Sequence, residues 1–360
     1  MKPTFLFLLS LFIGLQSCSK DDDSNYQPID TTYQLEYEGF PEPQLPADNP
    51  LTVEGVELGR RLFYETALSK DNTMSCATCH VQENAFADIN RFSIGVEGLP
   101  GKRQAMAIFN MAWNNNEFFW DGRAHLLRDQ SLMPIQDPLE MNETLDNAIA
   151  KLEVIPDYVE RFEAVFGTPE ITSERMALAM EQFMNTIVSN QSKFDKVQRG
   201  QATFTTSEAR GRDLFFRQFD PSNPINSGAN CAHCHGGANF ENNDYMNNGL
   251  DIEADMVDIG REEVNNNPLY KGAFKVPSLR NIELTPPYMH DGRFDTLEEV
   301  VEHYDHNIRI SPTLNSTLAS VQNNGGLQLT SQDKSDLIAF LKTLTDHELI
   351  NNPKFSNPFD

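Results

Sequence analysis

Two short segments carry the residues with the most specific chemistry in this chain, SCATCH at 75–80 and NCAHCH at 230–235. In a CxxCH motif, two thiols can form thioether bonds to the vinyl groups of a haem, and the histidine that follows can bind the iron. A single CxxC would be less specific, because zinc sites and redox sites use it too. Two such motifs with similar flanks predict two covalently attached c-type haems. The predicted haem-binding residues are Cys76, Cys79, His80, Cys231, Cys234 and His235, with the histidines as proximal iron ligands.

The axial ligand on the other side of each iron decides what the haem can do. A haem with both axial positions filled by protein transfers electrons, whereas an open position admits a small molecule such as peroxide. The two halves can be compared, because FFWDGR at 118–123 matches PYMHDGR at 287–293. Fourteen residues after the tryptophan of the first segment stands Pro134, and the equivalent position in the second half is Tyr304. Since proline has no side chain that binds iron, we expect an open first haem and a second haem capped by Tyr304.

The assignment of Tyr304 has alternatives. Met289 is the main rival, because c-type electron-transfer haems often use a methionine. Tyr304 also continues the apolar face of a predicted helix that opens with a capping box of Thr296 and Glu299, so it can be an ordinary core residue. The other side chains nearby that can bind iron, ranked lower, are His290, His303 and His306.

Around the first haem, Gln130 and Glu140 flank Pro134 and are candidates for the open distal face. A carboxylate there can take a proton from one peroxide oxygen and deliver it to the other, which is the general acid–base role that O–O cleavage needs. A glutamine can orient the peroxide by hydrogen bonding. On the residues alone, a solvated loop carboxylate is the commoner explanation for Glu140.

The elements that must position these residues are predicted to be mainly α-helical. Apolar residues recur at helical spacing in 173–194 and 331–348, and convincing strand alternation is absent. The segment at 59–80 matches that at 211–235, with Gly-Arg, Leu-Phe and a loop before each CxxCH, which indicates an internal duplication. The predicted organisation is a leader at 1–17, a tether and extended lead-in at 18–50, haem domains at 51–198 and 199–350, and a tail at 351–360.

Composition and the leader limit the cellular setting. The chain has 360 residues, 39% of them hydrophobic, and a net charge of −25, which argues against nucleic-acid or anionic-membrane binding. Lys2 and the apolar run at 5–15 predict a signal peptide and hence export. LQSC before Ser19 resembles a lipobox with Cys18 as the lipidated residue, although ordinary cleavage remains an alternative. We therefore expect a periplasmic or outer-membrane lipoprotein, with surface exposure left open.

Taken together, these motifs resemble the bacterial di-haem cytochrome c peroxidase family, which also contains the MauG-type enzymes. The resemblance runs from about Leu58 to Leu344. The segments that carry it are SCATCH, FFWDGR, the stretch from Gln130 to Met141, NCAHCH, VPSLRN at 276–281 and PYMHDGRFDTLEE. It implies two tandem cytochrome c-like haem domains, with peroxide reacting at the first haem beside Gln130 and Glu140. It also implies that Trp120 relays electrons between the haems and that a small donor, such as a cytochrome c or a cupredoxin, reduces the second haem.

The chain departs from the family pattern at several positions. Many members carry a histidine that blocks the first haem at rest, but Val96 stands there, so we expect no need for reductive activation. Tyr304 replaces the peroxidase methionine, as in MauG-type enzymes, and a phenolate ligand lowers the haem potential. MauG-type enzymes present a tryptophan where this chain has Ala229, so the corresponding route for oxidising a partner protein is missing.

Calcium and the reaction itself remain open at this stage. The resemblance implies a calcium site between the haems at Gln104, Thr285 and Pro287, but the family's asparagine is replaced by Gln104. The leading hypothesis is a peroxidase that reduces hydrogen peroxide. The alternatives are a MauG-like oxidase of a protein or small molecule and a non-catalytic electron-transfer cytochrome. The oligomeric state is not fixed by the sequence, and a homodimer is compatible with it.

Overall fold

The computed structural model describes residues 28–359, and its regular structure is almost entirely helical, which confirms the predicted mainly α class. The signal-peptide and lipobox predictions lie outside the described residues. The helices are α1 (Val53–Tyr64), α2 (Cys76–Cys79), α3 (Leu127–Gln136), α4 (Leu145–Glu153), α5 (Pro156–Phe166), α6 (Ser173–Thr186), α7 (Lys193–Gln198), α8 (Thr206–Phe216), α9 (Glu262–Asn265), α10 (Leu297–Glu302), α11 (Ser316–Asn323), α12 (Ser331–Lys342) and α13 (His347–Ile350). A short antiparallel pair joins β1 (Tyr245–Met246) to β2 (Phe274–Lys275), with Tyr245 opposite Lys275.

The internal repeat corresponds to a repeated helix crossing. In the first half α1 packs across α6, and in the second half α8 packs across α12. At the equivalent position of each crossing stands a glycine. A Cβ atom on Gly59 would lie 1.9 Å from the carbonyl oxygen of Ala179, and one on Gly211 would lie 1.9 Å from that of Asp336. The Gly-Arg pair shared by the two halves is therefore explained by close backbone approach.

Side chains set the ends of these helices as the sequence patterns predict. The capping box of Thr296 and Glu299 at the start of α10 is confirmed, with the Glu299 amide donating to the Thr296 hydroxyl over 3.2 Å. Equivalent boxes open α8 and α12 at Thr205 and Thr330. Each box satisfies backbone N–H groups that have no partner inside the helix. The first turns of α8, α10 and α12 are thereby fixed locally.

The buried apolar residues form two clusters, one in each half of the chain. The first includes Phe63 and Phe183, and the second includes Phe215 and Phe340. Some residues cross the predicted division at residue 198. Phe194, although N-terminal to that division, packs against Phe340 with ring centroids 6.0 Å apart. The exact domain boundary therefore stays a prediction.

The C-terminal residues are part of the first cluster. Leu349 and Phe355 are buried in it, far along the chain from the residues they contact. Arg60 on α1 donates to the carbonyl oxygen of Ser356 over 2.8 Å, and Gln82 donates to that of Leu349 over 3.0 Å. The described part of the predicted tail, 351–359, thus lies against the first half. Among residues 28–359, none of the helices combines the length and the apolar composition needed to cross a membrane.

The glycine at the helix crossing gives a direct test of the fold. Gly211→Ala places a methyl group 1.9 Å from the Asp336 carbonyl oxygen, so we expect the free energy of unfolding to fall by about 1–3 kcal/mol. Gly101→Ala is the control, because the nearest atom to its added Cβ lies 3.6 Å away. Thermal and denaturant unfolding of the haem-loaded protein measure the difference. Equal stability of the two variants would contradict the crossing.

Candidate haem centres and their distal faces

The first CxxCH forms a single helical turn that brings its three ligating residues together. Ser75 opens α2 in a capping box with Thr78, and the His80 amide donates to the carbonyl oxygen of Cys76 over 2.9 Å. The Nδ1 atom of the His80 ring lies 3.0 Å from the carbonyl oxygen of Phe86. With Nδ1–H donating to that oxygen, Nε2 keeps its lone pair for an iron. Burial lowers the pKa of His80, which favours the neutral ring that binds metal.

The second CxxCH has the same arrangement with a different partner. The His235 amide donates to the carbonyl oxygen of Cys231 over 2.9 Å. The His235 Nδ1 atom lies 3.1 Å from the carbonyl oxygen of Pro277 and 3.3 Å from that of Phe240. Burial lowers the pKa of His235 to about 4, so this ring is also neutral. Pro277 belongs to VPSLRN, so one role of that segment is to orient the second imidazole.

Both motifs open into one cavity of about 1260 Å³. His80 and Cys79 line it from the first half, and Cys231 and His235 line it from the second. The space, the thiol pairs and the two imidazoles held through Nδ1 fit two covalently attached haems. Trp120 also lines this cavity, and its role as a relay between the haems stays a prediction.

The two predicted distal residues of the first site and Pro134 line the large cavity and also a second, smaller one. Gln130, Pro134 and Glu140 line this space of about 40 Å³ together with Cys79 and His80. Gln130 and Pro134 are four residues apart on α3 and therefore lie on one helix face. Glu140 follows in a turn in which its amide donates to the Asp137 carbonyl oxygen over 2.9 Å.

The environment of Glu140 changes its acidity. Burial raises the pKa of Glu140 to about 7, the nearby charge of Asp137 adds to the rise, and Arg123 opposes it. A carboxyl group with a pKa near neutrality can both accept and release a proton at physiological pH. The catalytic assignment of Glu140 stays a prediction, but its surroundings are those that general acid–base chemistry requires.

Val96 acts on this site through its backbone. The Val96 amide donates to the carbonyl oxygen of Glu140 over 2.8 Å. The neighbouring Gly95 packs so closely that an added Cβ would lie 2.1 Å from the Leu139 carbonyl oxygen. The segment that carries Val96 thus fixes the turn that holds Glu140. No sequence pattern indicated this contact, because both partners are backbone atoms.

Trp120 is held in place from two sides. Its indole Nε1–H donates to the carbonyl oxygen of Gln104 over 2.8 Å, and its own carbonyl oxygen accepts from the Lys275 amide over 2.7 Å. The preceding residue on β2, Phe274, stacks on His290 with centroids 3.6 Å apart and planes 9° apart. The strand β2 therefore connects the two repeat-equivalent residues, Trp120 and His290. Sequence reasoning missed this strand, because two residues are too few to show an alternating pattern.

The two rival ligands of the second haem lie beside each other. Asn248 places its Nδ2 atom 3.4 Å from the Tyr304 hydroxyl and 3.3 Å from the Met289 sulfur. Tyr304 sits in a π-helical turn, His303–Asn307, which follows α10 directly. Such turns are frequent at functional sites. Burial raises the pKa of Tyr304 to about 12, so binding as a phenolate requires the metal to displace the proton.

The lower-ranked histidines have other partners. His303 places Nε2 3.0 Å from the carbonyl oxygen of Asn248. His306 lies 2.9 Å from the buried carboxylate of Asp305. His290 is stacked on Phe274. Tyr304 and Met289 therefore remain the two ligand candidates, and the choice between them stays a prediction.

Comparison with known proteins agrees with this geometry. A family model described as di-haem cytochrome c peroxidase matches residues 53–203. Cytochrome c551 peroxidase of Nitrosomonas europaea is 35% identical over 354 residues, which cover 98% of this chain and 92% of that protein. The chain belongs to the di-haem cytochrome c peroxidase family. It is therefore an oxidoreductase acting on peroxide, and its family cofactors are two c-type haems.

Relatives of the MauG type are about equally similar. Methylamine utilization protein MauG of Methylorubrum extorquens is 33% identical over 301 residues, which cover 83% of this chain and 80% of that protein. The solved structure of a MauG-like protein associated with microbial copper homeostasis is 34% identical, with a TM-score of 0.81 over 90% of this chain and 99% of that chain. Both branches of the di-haem family thus have members close to this chain.

The predicted calcium residues border the same space. Gln104, Thr285 and Pro287 all line the large cavity. The Gln104 side chain donates from Nε2 to the Asp88 carbonyl oxygen over 3.1 Å. Calcium at this place stays a prediction for this member of the di-haem family.

The second haem's ligand can be decided by two single variants. Phenylalanine cannot bind iron, so we expect Tyr304→Phe to change the absorption and paramagnetic resonance spectra of the second haem and to leave those of the first unchanged. Met289→Leu, which removes the neighbouring sulfur, is the matched control and should leave both spectra as they are. The opposite pattern, with a change in the Met289 variant alone, would assign the methionine.

Proposed function

We propose that this protein is a di-haem c-type peroxidase that reduces hydrogen peroxide to water at the N-terminal haem, with electrons relayed through the C-terminal haem. The observation that carries the proposal is the difference between the two distal faces. Pro134, Gln130 and Glu140 surround one of them, and Tyr304 and Met289 stand beside Asn248 at the other. One face is lined by a proline and by groups suited to acid–base chemistry, and the other has iron-binding side chains.

The chain's own residues divide the work at the first haem. A c-type haem held there by Cys76, Cys79 and His80 would supply an iron that exchanges electrons with peroxide. Glu140, whose pKa is about 7, accepts a proton from one peroxide oxygen and returns it to the other. Gln130 donates a hydrogen bond that orients the peroxide. The overall reaction consumes hydrogen peroxide, two electrons and two protons and yields two water molecules.

Trp120 is the proposed relay between the two sites. It lines the cavity shared by both CxxCH motifs, and its ring and backbone are fixed by Gln104 and Lys275. Electrons are proposed to enter at the second haem from a small donor protein such as a cytochrome c or a cupredoxin. Export to the periplasm or the outer membrane, the lipid anchor at Cys18, calcium and a homodimer are further parts of this proposal.

A MauG-like oxidase is the second candidate, favoured by Tyr304. An anionic phenolate ligand lowers the haem potential relative to a methionine and therefore suits storage of oxidising equivalents. The similarity to the MauG-like protein associated with microbial copper homeostasis also supports this second candidate function. Ala229 stands in place of the MauG-type tryptophan, which argues against the route by which those enzymes oxidise a partner protein. A non-catalytic cytochrome is disfavoured by Pro134, which leaves the first iron without a ligand from that position.

Paramagnetic resonance of the resting haem-loaded protein separates these candidates. For a peroxidase or an oxidase, we expect one high-spin and one low-spin ferric signal, and a loss of both after one equivalent of hydrogen peroxide. Steady-state reduction of peroxide by a reduced cytochrome c then supports the peroxidase. Two low-spin signals that do not respond to peroxide would leave only the electron-transfer cytochrome.

The proton-transfer role of Glu140 predicts a pH dependence. Because its pKa is raised to about 7, the proton-accepting carboxylate form increases as the pH rises through that value, and the rate of reaction with peroxide should rise with it. Glu140→Gln should lower this rate by about 10²–10⁴-fold and remove the pH dependence. Glu153→Gln, at an exposed position on α4, is the control. Full turnover by the Glu140 variant would exclude the assignment.

A further inference from the structure

An aromatic group that the proposed reaction does not use lies on the first half of the protein. The chain has two tryptophans, and Trp120 is the proposed relay. The other, Trp113, packs against the segment that precedes α1. Its ring centroid is 4.6 Å from that of Phe40 and 6.1 Å from that of Tyr37. Its indole N–H donates to the carbonyl oxygen of Pro41 over 2.8 Å, which fixes the ring. Trp113 and Tyr37 are both oxidisable side chains in close contact.

The inner end of this group reaches the second haem site. Arg280, which is buried, places its guanidinium 4.7 Å from the Phe40 ring centroid and 5.8 Å from that of Phe240. Arg280 also lines the haem cavity. It stands three residues after Pro277, whose carbonyl oxygen lies 3.1 Å from the His235 ring. Short contacts therefore connect the loop of the second proximal ligand, through Arg280 and Phe40, to the aromatic pair.

Arg280 is held rigidly at this junction. Its two terminal nitrogens each donate to the carboxylate of Asp195 over 2.8 Å, and its Nε donates to the carbonyl oxygen of Ala238 over 2.8 Å. A bidentate pair of this kind fixes the plane of the guanidinium. The contact with Phe40 is therefore a built feature of the interior rather than the resting place of a free surface arginine.

The outer end of the group is suited to lose a proton together with an electron. The Tyr37 hydroxyl donates to the carboxylate of Glu42 over 2.5 Å. Tyr37 and Trp113 are both partly exposed. A phenol becomes strongly acidic when it is oxidised by one electron, so oxidation is easier when a hydrogen-bonded carboxylate can accept the proton. Glu42 is placed to do this.

We propose that Trp113 and Tyr37 form a redox exit, through which the peroxide-oxidised protein withdraws electrons from its surface one at a time. Trp113 gives an electron to the oxidised haem pair and regains one from Tyr37. Tyr37 transfers its proton to Glu42 and becomes a neutral radical. An external phenol then gives one electron to this radical, because a phenol has nearly the same one-electron potential. Glu42 returns the proton to Tyr37, and the oxidised external phenol releases its own proton to solvent and leaves as a neutral phenoxyl radical. The proposal rests on the proposed function, which supplies the oxidant.

The test combines haem spectra with localisation of the radical. Holo-protein with ring-deuterated tyrosine receives one equivalent of hydrogen peroxide without a donor, and paramagnetic resonance identifies the radical. We expect a tyrosyl signal that is lost in Tyr37→Phe and in Trp113→Phe, and that becomes a tryptophanyl signal in Glu42→Gln. Oxidation of guaiacol, the phenol used as the probe, should be lost in the first two variants. Tyr270→Phe, at a partly buried tyrosine of the other half, is the matched control.

The outcomes separate this proposal from the function on which it rests. If the haem spectra respond to peroxide in every variant while the radical and guaiacol oxidation are the same as in the parent, the redox exit is wrong and the peroxidase stands. If the haem spectra of the parent do not respond to peroxide, the proposed function and the exit fail together. A purely structural role for the aromatic group would alter thermal stability in these variants without moving the radical.

Discussion

The whole arrangement depends on one interaction that occurs twice, a hydrogen bond from the Nδ1 atom of each proximal imidazole to a backbone carbonyl. His80 is oriented by Phe86, and His235 by Pro277. Each bond fixes both the tautomer and the direction of the ring, and hence the plane in which a haem attached to the adjacent cysteines must lie. The cavity, the distal residues and Trp120 are useful only because those planes are fixed.

The same scaffold produces opposite distal faces in its two halves. The helix crossings at Gly59 and Gly211 repeat, and so do the CxxCH turns. What differs is the segment that follows the Asp-Gly-Arg shared by the two halves. In the first half it becomes α3, with Pro134 facing the pocket, and in the second half it becomes α10 and a π-helical turn with Tyr304. Duplication thus kept the parts that hold a cofactor and changed the parts that decide what the cofactor does.

The haem-attachment residues and the helical class were predictable because their signals are local. CxxCH needs only one helical turn, and helical spacing is visible within a single segment. The sequence favours Tyr304 over Met289, and that choice stays a prediction. The contact that brings the two together was not predictable, since Asn248 lies more than 40 residues away in sequence and matches no pattern. The role of Val96 depends on a backbone hydrogen bond to Glu140, which side-chain types do not reveal. Contacts of this kind are decided by tertiary packing.

The C-terminal segment of the described chain makes the two halves depend on each other. Leu349 and Phe355 complete the apolar core that residues of α1 and α6 begin, and Arg60 and Gln82 bind the backbone of the same segment. The core beside the first CxxCH is therefore closed by residues that follow the second haem domain in sequence. A change that loosens the second half also loosens this wall of the first, so the two haem sites are coupled mechanically as well as through their shared cavity.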